Sequence, residues 1–405
     1  MFWQSPIDHA LSRLRRNVRA PLKVVLWDGR EIALGDEPAK VTLRFKDARS
    51  ASALARPSLV ALAEAYIEGD AELEGDVREA IRGAEALSRT RDPGTFDRPG
   101  RTGVRRSRRA DREAVQRHYD VSNEFYALWL DPQMVYSCAY FRTSADTLEQ
   151  AQVAKLDHIC TKLRLAPGDR FLDVGCGWGA LVMHAATRYG AEATGITLSE
   201  NQYRLAQERI RAAGLQDRCR VLLQHYQEHP GQACYDKVAS VGMFEHVGLA
   251  HLSEYFGTVR RLLRDRGLFL NHGITSSDVQ NRAVGLGGGE FIDRYVFPKG
   301  ELPHLHRVIH DMAQQSFEVH DVECLRPHYV RTLEHWGENY ERRYAEASAE
   351  AGERTARIWR LYLAGCAHAF EQRWISIHQV LASRMEIPGR ADLPLTREWM
   401  YRDRP

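Results

Sequence analysis

The chain has 405 residues, which is long enough for two or three domains with a sizeable buried core. Its 56 Lys and Arg residues nearly cancel its 54 Asp and Glu residues, so the whole chain has no field that would attract nucleic acid. No run approaches the roughly eighteen apolar residues of a membrane span, and arginines interrupt the first twenty residues, so we expect no secretory signal. Seven scattered cysteines without paired spacing argue against a disulfide framework or a zinc site and indicate a reduced, cytoplasmic protein.

Residues 1–95 are predicted to form a small α+β domain. Apolar residues recur at helical spacing in its first segment, at Ile7, Leu11, Leu14 and Val18. Arginines occupy much of the rest of this helix, which leaves two interpretations: a helix that covers a small core, which is favoured, or an anchor on a membrane surface. Asp28 and Gly29 predict a hairpin turn, because both central positions of such a turn need positive φ. A third strand at 41–45 and two helices, opened near Pro57 and capped by Asp76, complete the domain.

The composition changes to Pro, Gly, Arg and Ser after this domain, and residues 96–117 are predicted to be a basic linker. Its closely spaced arginines are Arg98, Arg101, Arg105, Arg106, Arg108 and Arg109. Two interpretations are equally supported: a solvated, flexible connection, or a segment that meets anionic lipid head groups. In the second case each basic residue near the surface adds on the order of 1 kcal/mol to membrane binding.

A short apolar strand runs into three closely spaced glycines between residues 171 and 180. They are Gly175, Gly177 and Gly179. Glycine suits a strand-to-helix turn against a cofactor, because positive φ and a close backbone approach exclude a Cβ atom. The dinucleotide fingerprint fits badly, because Gly179 comes one residue earlier than that fingerprint requires. The turn is similar to that of the Rossmann-like methyltransferases that bind S-adenosylmethionine.

Strands and helices alternate between residues 171 and 272, which predicts βαβ units and a mostly parallel sheet in an α/β fold. Four residues fall near the carboxyl ends of predicted strands, where open α/β sheets bind their ligands. They are Gly175, Thr197, Gly242 and His272. The interruption at 276–302 is predicted to be a lid or a substrate-lining insertion, and residues 374–381 a closing edge strand.

The motifs between residues 117 and 382 resemble, in order, those of the cyclopropane-fatty-acyl-phospholipid synthases and the mycolic acid cyclopropane synthases. They are His118-Tyr119-Asp120, Ser122-Asn123, Phe125-Tyr126, Tyr136 to Phe141, Leu172 to Gly179, Gly195 to Gln202, Met243 to His246, His272 to Ile274, Phe291 to Pro298 and His328-Tyr329. The resemblance implies that residues 118–405 form a Rossmann-like class I methyltransferase domain that depends on S-adenosylmethionine.

The resemblance also implies which residues contact S-adenosylmethionine. They are Tyr136, Ser137, Asp173, Gly175, Gly177, Gly179, Thr197, Leu198, Gln202, Tyr226 and Gln227. Thr197 stands where most such enzymes place an acid that binds both ribose hydroxyls, and the amide of Gln202 can substitute for that acid. Gln202 is also suited to be the capping-box partner of Ser199, and both roles are compatible.

For the chemistry, the resemblance implies a bound bicarbonate ion as the base that removes a proton from the transferred methyl group. Its expected ligands are Cys138, Glu245, His272, the backbone N–H of Ile274, and Tyr329. Glu245 would accept a hydrogen bond from bicarbonate and take the proton onward. The alternative is that Glu245 caps a helix and that His272 and Tyr329 are satisfied buried polar groups. Cys366 is proposed as an active-site thiol in this family, but packing is favoured because no base is evidently arranged to activate it.

Methylation of an alkene leaves a carbocation, which aromatic faces can stabilise by roughly 0.5 to 2 kcal/mol each. The candidate rings are Tyr140, Phe141, Phe291, Tyr295 and Phe297, with core packing as the alternative for at least half of them. The expected function is therefore methylene transfer to the cis double bond of an unsaturated phospholipid acyl chain, at the inner face of the membrane. The alternatives are a methyl- or methylene-branched product and a catalytically silent lipid-binding module. A homodimer formed through the N-terminal domain is also expected by resemblance.

Overall fold

A computed structural model of the chain describes residues 6–96, 121–298, 300–385 and 393–401. Their contacts divide them into two units, and each unit has its own sheet. The predicted linker at 96–117 lies outside the described residues except for Phe96, and so does the motif at 118–120. Within the described part of the chain, no helix combines the length and the apolar character needed to cross a membrane.

The described strands are, in chain order, β1 (Leu22–Val25), β2 (Glu31–Ala33), β3 (Val41–Phe45), β4 (Ala71–Gly75), β5 (Arg170–Val174), β6 (Glu192–Thr197), β7 (Cys219–Leu223), β8 (Tyr235–Val241), β9 (Leu263–Ser276), β10 (Phe317–Cys324) and β11 (Ile375–Arg384). The described helices are α1 (Pro6–Asn17), α2 (Leu59–Ile67), α3 (Val77–Arg89), α4 (Asn123–Ala127), α5 (Leu148–Lys162), α6 (Ala180–Tyr189), α7 (Glu200–Ala212), α8 (Leu252–Leu262), α9 (Gly288–Tyr295), α10 (Leu305–Gln314), α11 (Arg326–Arg342), α12 (Tyr344–Ala351) and α13 (Glu353–Glu371).

The first unit contains Met1–Gly100, Arg282–Pro298 and Trp336–Trp374. Its four-stranded sheet has the order β2-β1-β3-β4. The predicted hairpin is confirmed, because β1 and β2 pair antiparallel around Gly29, whose φ is 85°. Strand β3 pairs parallel with β1, and β4, which pairs antiparallel with β3, was not anticipated from the sequence. The last two segments of this unit fall within the range that the sequence assigns to the methyltransferase domain.

Helix α1 contributes its apolar face to the core of the first unit. Leu11, Leu14 and Val18 are buried and belong to one hydrophobic cluster with Leu22 and Val24 of β1. This confirms the interpretation of α1 as a helix that covers a small core. An anchor that inserts this face into a membrane would have to remove these side chains from that core, at a cost of roughly 1.5–3 kcal/mol for each large one.

The second unit contains Arg101–Asn281, Lys299–His335 and Ile375–Pro405. Its seven-stranded sheet has the order β10-β11-β9-β8-β5-β6-β7. The five strands from β9 to β7 are parallel, as predicted, and β11 and β10 are antiparallel additions. Successive residues of β5 enter different core clusters, Phe171 one and Leu172 the other, so both faces of the sheet are covered.

Strand β11 is not the edge strand that the sequence predicts. It pairs with β9 on one side and with β10 on the other, and most of its side chains are buried. The apolar alternation at its beginning is typical of a strand with one exposed face, but the second half of β11 is buried continuously. This position places β11 directly beside β9, on which two predicted catalytic residues lie.

Candidate active site

The glycine turn after β5 adopts the backbone that its sequence predicts. Gly175, Gly177 and Gly179 have φ values of 83°, 53° and 85°, a region that side chains with a Cβ atom disfavour. A Cβ atom on Gly175 would also lie 3.1 Å from Cβ and Cγ of Met243. The turn is tied to β6 by the N–H groups of Gly175 and Cys176, which both donate to the carbonyl of Ile196 at 3.0 Å. Gly179 then caps α6.

A cavity opens at the carboxyl ends of β5, β6 and β8, and it is lined by most of the predicted cofactor residues. Those in its lining are Tyr136, Ser137, Asp173, Gly175, Gly177, Thr197, Leu198, Gln202 and Tyr226. Gly179 and Gln227 are placed outside it. Gln227 instead donates its amide N–H to Glu254 at 2.7 Å, and Gln224 and His225 take part in the lining on that side. We call this cavity the cofactor pocket.

Gln202 lies where the sequence predicts a substitute for the missing acid after β6. Its side-chain carbonyl accepts a hydrogen bond from the Thr197 hydroxyl at 2.7 Å, and its backbone N–H donates to Ser199 Oγ at 3.3 Å. The capping box is therefore only half formed, because the Gln202 side chain bonds to Thr197 instead of returning to the Ser199 backbone. The amide nitrogen of Gln202 is left to serve as the donor toward a hydroxyl-bearing guest.

Lys155 of α5 lines the cofactor pocket and was not identified from the sequence. It is buried, and its ammonium donates to Ser137 Oγ at 2.8 Å. Burial lowers the pKa of Lys155 to about 8 and raises the pKa of the neighbouring pocket carboxyl, Asp173, to about 7. The available signal was weak, because the face of α5 that carries Lys155 also carries the polar residues Gln152, His158 and Lys162.

Glu245 lies directly beyond the end of β8 and accepts a hydrogen bond from the backbone N–H of Ile274 at 2.6 Å. Strand β9 extends past the end of β8 here, so Glu245 bonds Ile274 on the side that β8 no longer covers, while β11 pairs with Ile274. The second carboxylate oxygen, Oε2, is buried and makes no hydrogen bond within the described residues. Burial raises the pKa of Glu245 to about 7, so the carboxyl titrates near neutrality.

His272 precedes Ile274 by two residues on β9 and is fully buried. Its Nδ1 lies 3.1 Å from Nε2 of Gln379 on β11, while its Nε2 is buried without a hydrogen-bond partner among the described residues. Burial lowers the pKa of His272 well below its usual range, so the imidazole is neutral. Sequence analysis did not single out Gln379. We call Glu245, His272 and the Ile274 N–H the polar cluster.

Cys138 and Tyr329 both contact the backbone carbonyl of Leu325. The Cys138 sulfur lies 3.8 Å from the Leu325 carbonyl, which also accepts the Tyr329 N–H at 3.0 Å. Leu325 in turn donates its N–H to Ile377 at 2.9 Å, and Ile377 pairs with Ile274 of the polar cluster. Cys138 is fully buried, which raises the pKa of its thiol and keeps it protonated.

Two of the candidate rings for carbocation stabilisation have other neighbours. Tyr140 is stacked between the imidazoles of His158 and His328, with centroid distances of 4.3 and 4.7 Å. Phe141 lies 4.7 Å from the guanidinium of Arg331 and stacks on His335. These contacts favour the packing alternative for both rings, and their role in stabilising a carbocation stays a prediction. Phe291, Tyr295 and Phe297 belong to the first unit and stay candidates.

Cys366 lies on α13 in the first unit. Burial raises the pKa of its thiol to about 12, so it is not a nucleophile near neutral pH. This supports the packing interpretation of Cys366. The remaining predicted catalytic residues all belong to the second unit.

Comparison with known proteins extends these observations. The model of the mycolic acid cyclopropane synthetase family matches residues 106–380, and a domain of unknown function matches residues 11–90. A Pseudomonas putida protein named as a probable fatty acid methyltransferase is 50% identical over 389 residues, which cover 96% of this chain and 98% of the relative. The cyclopropane-fatty-acyl-phospholipid synthase of Escherichia coli (strain K12) is 40% identical over 267 residues, 66% of each chain.

Among solved structures, the mycolic acid cyclopropane synthase CmaA1 in complex with SAH and CTAB aligns with a TM-score of 0.64 and 35% identity over 67% of this chain and 98% of that one. The seven-stranded sheet, the glycine turn and these similarities define an S-adenosylmethionine-dependent methyltransferase of the cyclopropane synthase type. The chain belongs to the mycolic acid cyclopropane synthetase family.

Proposed function

We propose that the enzyme transfers a methylene group from S-adenosylmethionine to the cis double bond of a phospholipid acyl chain, which forms a cyclopropane ring. The observation that supports this most strongly is the polar cluster. Glu245 Oε2 and His272 Nε2 are both buried and lack hydrogen-bond partners among the described residues. Because buried polar atoms are nearly always bonded, they indicate a small polar guest.

Bicarbonate has the hydrogen-bonding groups that would complement this pair of atoms. Its negatively charged oxygens accept hydrogen bonds, which suits an imidazole N–H of His272, and its O–H donates one, which suits the carboxylate of Glu245. Anions such as nitrate or sulfate offer no O–H to Glu245. When bound there, bicarbonate would supply the base that removes a proton from the transferred methyl group. Cys138 and Tyr329 are the further proposed ligands, and both contact the carbonyl of Leu325, whose N–H donates to Ile377.

The proposed reaction balances without a redox partner. The alkene carbon bonds to the methyl carbon while the sulfonium C–S bond breaks, which leaves S-adenosylhomocysteine and a carbocation on the acyl chain. Loss of a proton from the new methyl group frees the electron pair that closes the ring. Glu245 then accepts that proton, and its pKa of about 7 suits an acceptor that must also release protons to water.

The cofactor pocket would hold S-adenosylmethionine for this reaction. Ser137, held by Lys155, and Gln202, held by Thr197, are fixed hydrogen-bonding groups at two sides of the pocket. We propose that they bind the methionine carboxylate and the ribose of S-adenosylmethionine. A fixed cofactor aligns its methyl group with the alkene, and such positioning can lower a barrier by roughly 7 to 11 kcal/mol.

A second candidate function is formation of a methyl- or methylene-branched acyl chain. It is favoured by the name of the Pseudomonas putida relative, a probable fatty acid methyltransferase. It needs the same cofactor pocket. Proton loss from a carbon of the acyl chain would give a methyl-branched alkene, whereas a methylene branch forms when a hydride first shifts to the cationic carbon and the proton then leaves the transferred methyl group. Ring closure needs only a base at that methyl group and no hydride shift, and for that reason we place cyclopropane formation first.

Product analysis distinguishes these functions. The purified enzyme is incubated with unsaturated phospholipid vesicles, methyl-labelled S-adenosylmethionine and a series of bicarbonate concentrations, and the lipids are fragmented in a mass spectrometer. We expect a labelled cyclopropane whose yield rises with bicarbonate. A labelled branch would support the second function, and absence of labelled lipid with intact cofactor binding would support a silent lipid-binding module.

The acceptor double bond lies inside a bilayer, so we propose that the enzyme docks peripherally on the inner face of the membrane. The burial of the α1 apolar face leaves electrostatic attachment as the favoured route. Replacing Arg105, Arg106, Arg108 and Arg109 with Gln should weaken sedimentation with anionic vesicles at low salt, whereas Arg15→Gln is a control on α1. Unchanged vesicle binding would exclude the linker as the segment that binds the membrane.

Dimerisation stays a prediction, which sedimentation of the full chain tests.

A further inference from the structure

Two buried residues, Gln379 and His272, and the half-buried Glu323 form a row across one face of the seven-stranded sheet. Glu323 of β10 pairs with Gln379 of β11, and Gln379 pairs with His272 of β9. Residues directly opposite each other on antiparallel strands point to the same face. Oε2 of Glu323 lies 2.7 Å from His158 Nε2 and accepts a hydrogen bond from Lys162 Nζ at 2.6 Å. The negative charge of this carboxylate is therefore already compensated. Gln379 therefore lies between a neutralised carboxylate and the imidazole of the polar cluster.

The contact between Gln379 and His272 defines which imidazole nitrogen carries the proton. The amide nitrogen of Gln379 lies 3.1 Å from His272 Nδ1, and an amide nitrogen can only donate. Nδ1 must then accept, which leaves the single proton of the neutral ring on Nε2. As placed, the Gln379 amide leaves one N–H and its carbonyl without a partner among the described residues. Rotating it by half a turn would leave two N–H groups unbonded instead, and an orphaned buried N–H is rarer in proteins than an under-satisfied carbonyl.

The tautomer determines what His272 offers to a guest. With the proton on Nε2, the partner-free nitrogen of His272 is a donor, whereas Oε2 of Glu245 is an acceptor when ionised. The opposite tautomer would present two acceptors and would repel the charged oxygens of an oxyanion. In functional histidines, the hydrogen bond made by one ring nitrogen commonly fixes the tautomer and so determines what the other nitrogen offers to a ligand.

We propose that Gln379 is a positioning residue that holds His272 as the Nε2–H tautomer and so makes the polar cluster selective for an oxyanion that also carries a hydrogen. This inference rests on the proposed function for the identity of the anion. The tautomer itself depends only on the two side chains. Gln379 touches neither the acyl chain nor the cofactor in this role, and it acts through His272.

The tautomer is measured on the full-length enzyme with ¹⁵N-labelled histidine and saturating S-adenosylhomocysteine, by NMR of the imidazole nitrogens. The His272→Gln variant assigns the resonance. We expect a protonated Nε2 and an unprotonated Nδ1 in the wild type. A protonated Nδ1 would overturn the inference whatever the product of the enzyme is.

Kinetics of Gln379→Met complete the test, with Gln207→Met as the matched control. Gln207 lies on α7 and donates its amide to Val221, outside the polar cluster. We expect Gln379→Met to mix the two tautomers and to raise the KM for bicarbonate about tenfold, the effect of about 1.4 kcal/mol. The KM for S-adenosylmethionine should not change. Equal effects on both KM values would show a merely structural role. A wild-type Nε2–H tautomer in an enzyme indifferent to bicarbonate would sink the proposed base while leaving the tautomer assignment standing.

Discussion

The cofactor pocket and the polar cluster have different proposed tasks, cofactor binding and proton removal, and they are built in different ways. The pocket lies at a backbone turn, where the positive-φ glycines Gly175 and Gly177 and the strand ends leave room for a large guest. The polar cluster is built from buried side chains whose pKa values burial displaces in opposite directions, upward for Glu245 and downward for His272. The comparison indicates that cofactor binding depends on the shape of the pocket, whereas the proposed proton removal would depend on buried polar atoms that have no partner among the described residues.

The sharpest way to separate the two regions is Glu245→Gln. An amide keeps the shape of the side chain but cannot accept a proton, so we expect methylene transfer to fall by about 10²–10⁴-fold. Calorimetric titration with S-adenosylhomocysteine should show unchanged affinity. Glu208→Gln on the exposed face of α7 is the control. If affinity for S-adenosylhomocysteine fell as far as the rate, the two regions would not be independent.

The same variant tests whether burial of Glu245 costs stability. The pKa of Glu245 is raised by burial from 4.5 to about 7, so the folded protein holds this proton to higher pH than the unfolded chain does. The stability that the neutral carboxyl allows is complete below about pH 4.5 and is lost as the pH rises to about 7, by roughly 3 kcal/mol. Denaturant unfolding without bicarbonate should show wild type losing stability relative to Glu245→Gln across this window. Parallel pH profiles for the two proteins would contradict the assigned pKa.

On the pocket side, Gly175→Ala should weaken cofactor binding by its shape alone. Its φ is 83°, and the added methyl group would meet Met243 at 3.1 Å. Gly168→Ala is the matched control, because Gly168 has φ of 82° and open space around its Cβ position. Both variants should lose about 1–2 kcal/mol of stability. Only Gly175→Ala should lose S-adenosylhomocysteine affinity, by about tenfold or more, and equal losses in both would argue that the pocket is not shaped by this turn.

The smallest expected effect is that of Gln202→Ala. Its amide is one hydrogen-bonding group of the pocket, and such a bond contributes about 1 kcal/mol, or roughly fivefold in affinity. Titration with S-adenosylhomocysteine measures this change, and Gln207→Ala removes an amide outside the pocket. No change in Gln202→Ala would assign the ribose contact to other residues of the lining.

Much of the second unit could be predicted from the sequence because its signals are local. The spacing of Gly175, Gly177 and Gly179 requires a special backbone, and the alternation of strands and helices implies a parallel sheet. The capping box of Thr147 and Gln150 at the start of α5 is a local feature of the same kind. Such features depend on residues that are neighbours in the chain.

The remainder depends on contacts between distant segments. The insertion of β11 between β9 and β10 brings Gln379 to His272, 107 residues away, and no local pattern announces that pairing. Lys155 reaches the pocket from α5, whose sequence pattern predicts only a helix packed against the core. The same holds for the grouping of residues 282–298 and 336–374 with the first unit. These placements follow from tertiary packing, which outweighs local propensity.

The most direct test of the central claim follows the hydrogens of the transferred methyl group. The enzyme is given trideuteromethyl S-adenosylmethionine, bicarbonate and unsaturated phospholipid vesicles, and the deuterons retained in the product are counted by mass spectrometry. We predict a cyclopropane that has lost one deuteron, formed by the wild type and not by Glu245→Gln. A branched chain would contradict the account, with three deuterons if the proton left from another carbon, or with two if a hydride shift preceded its loss from the methyl group, because in neither case would the ring have closed.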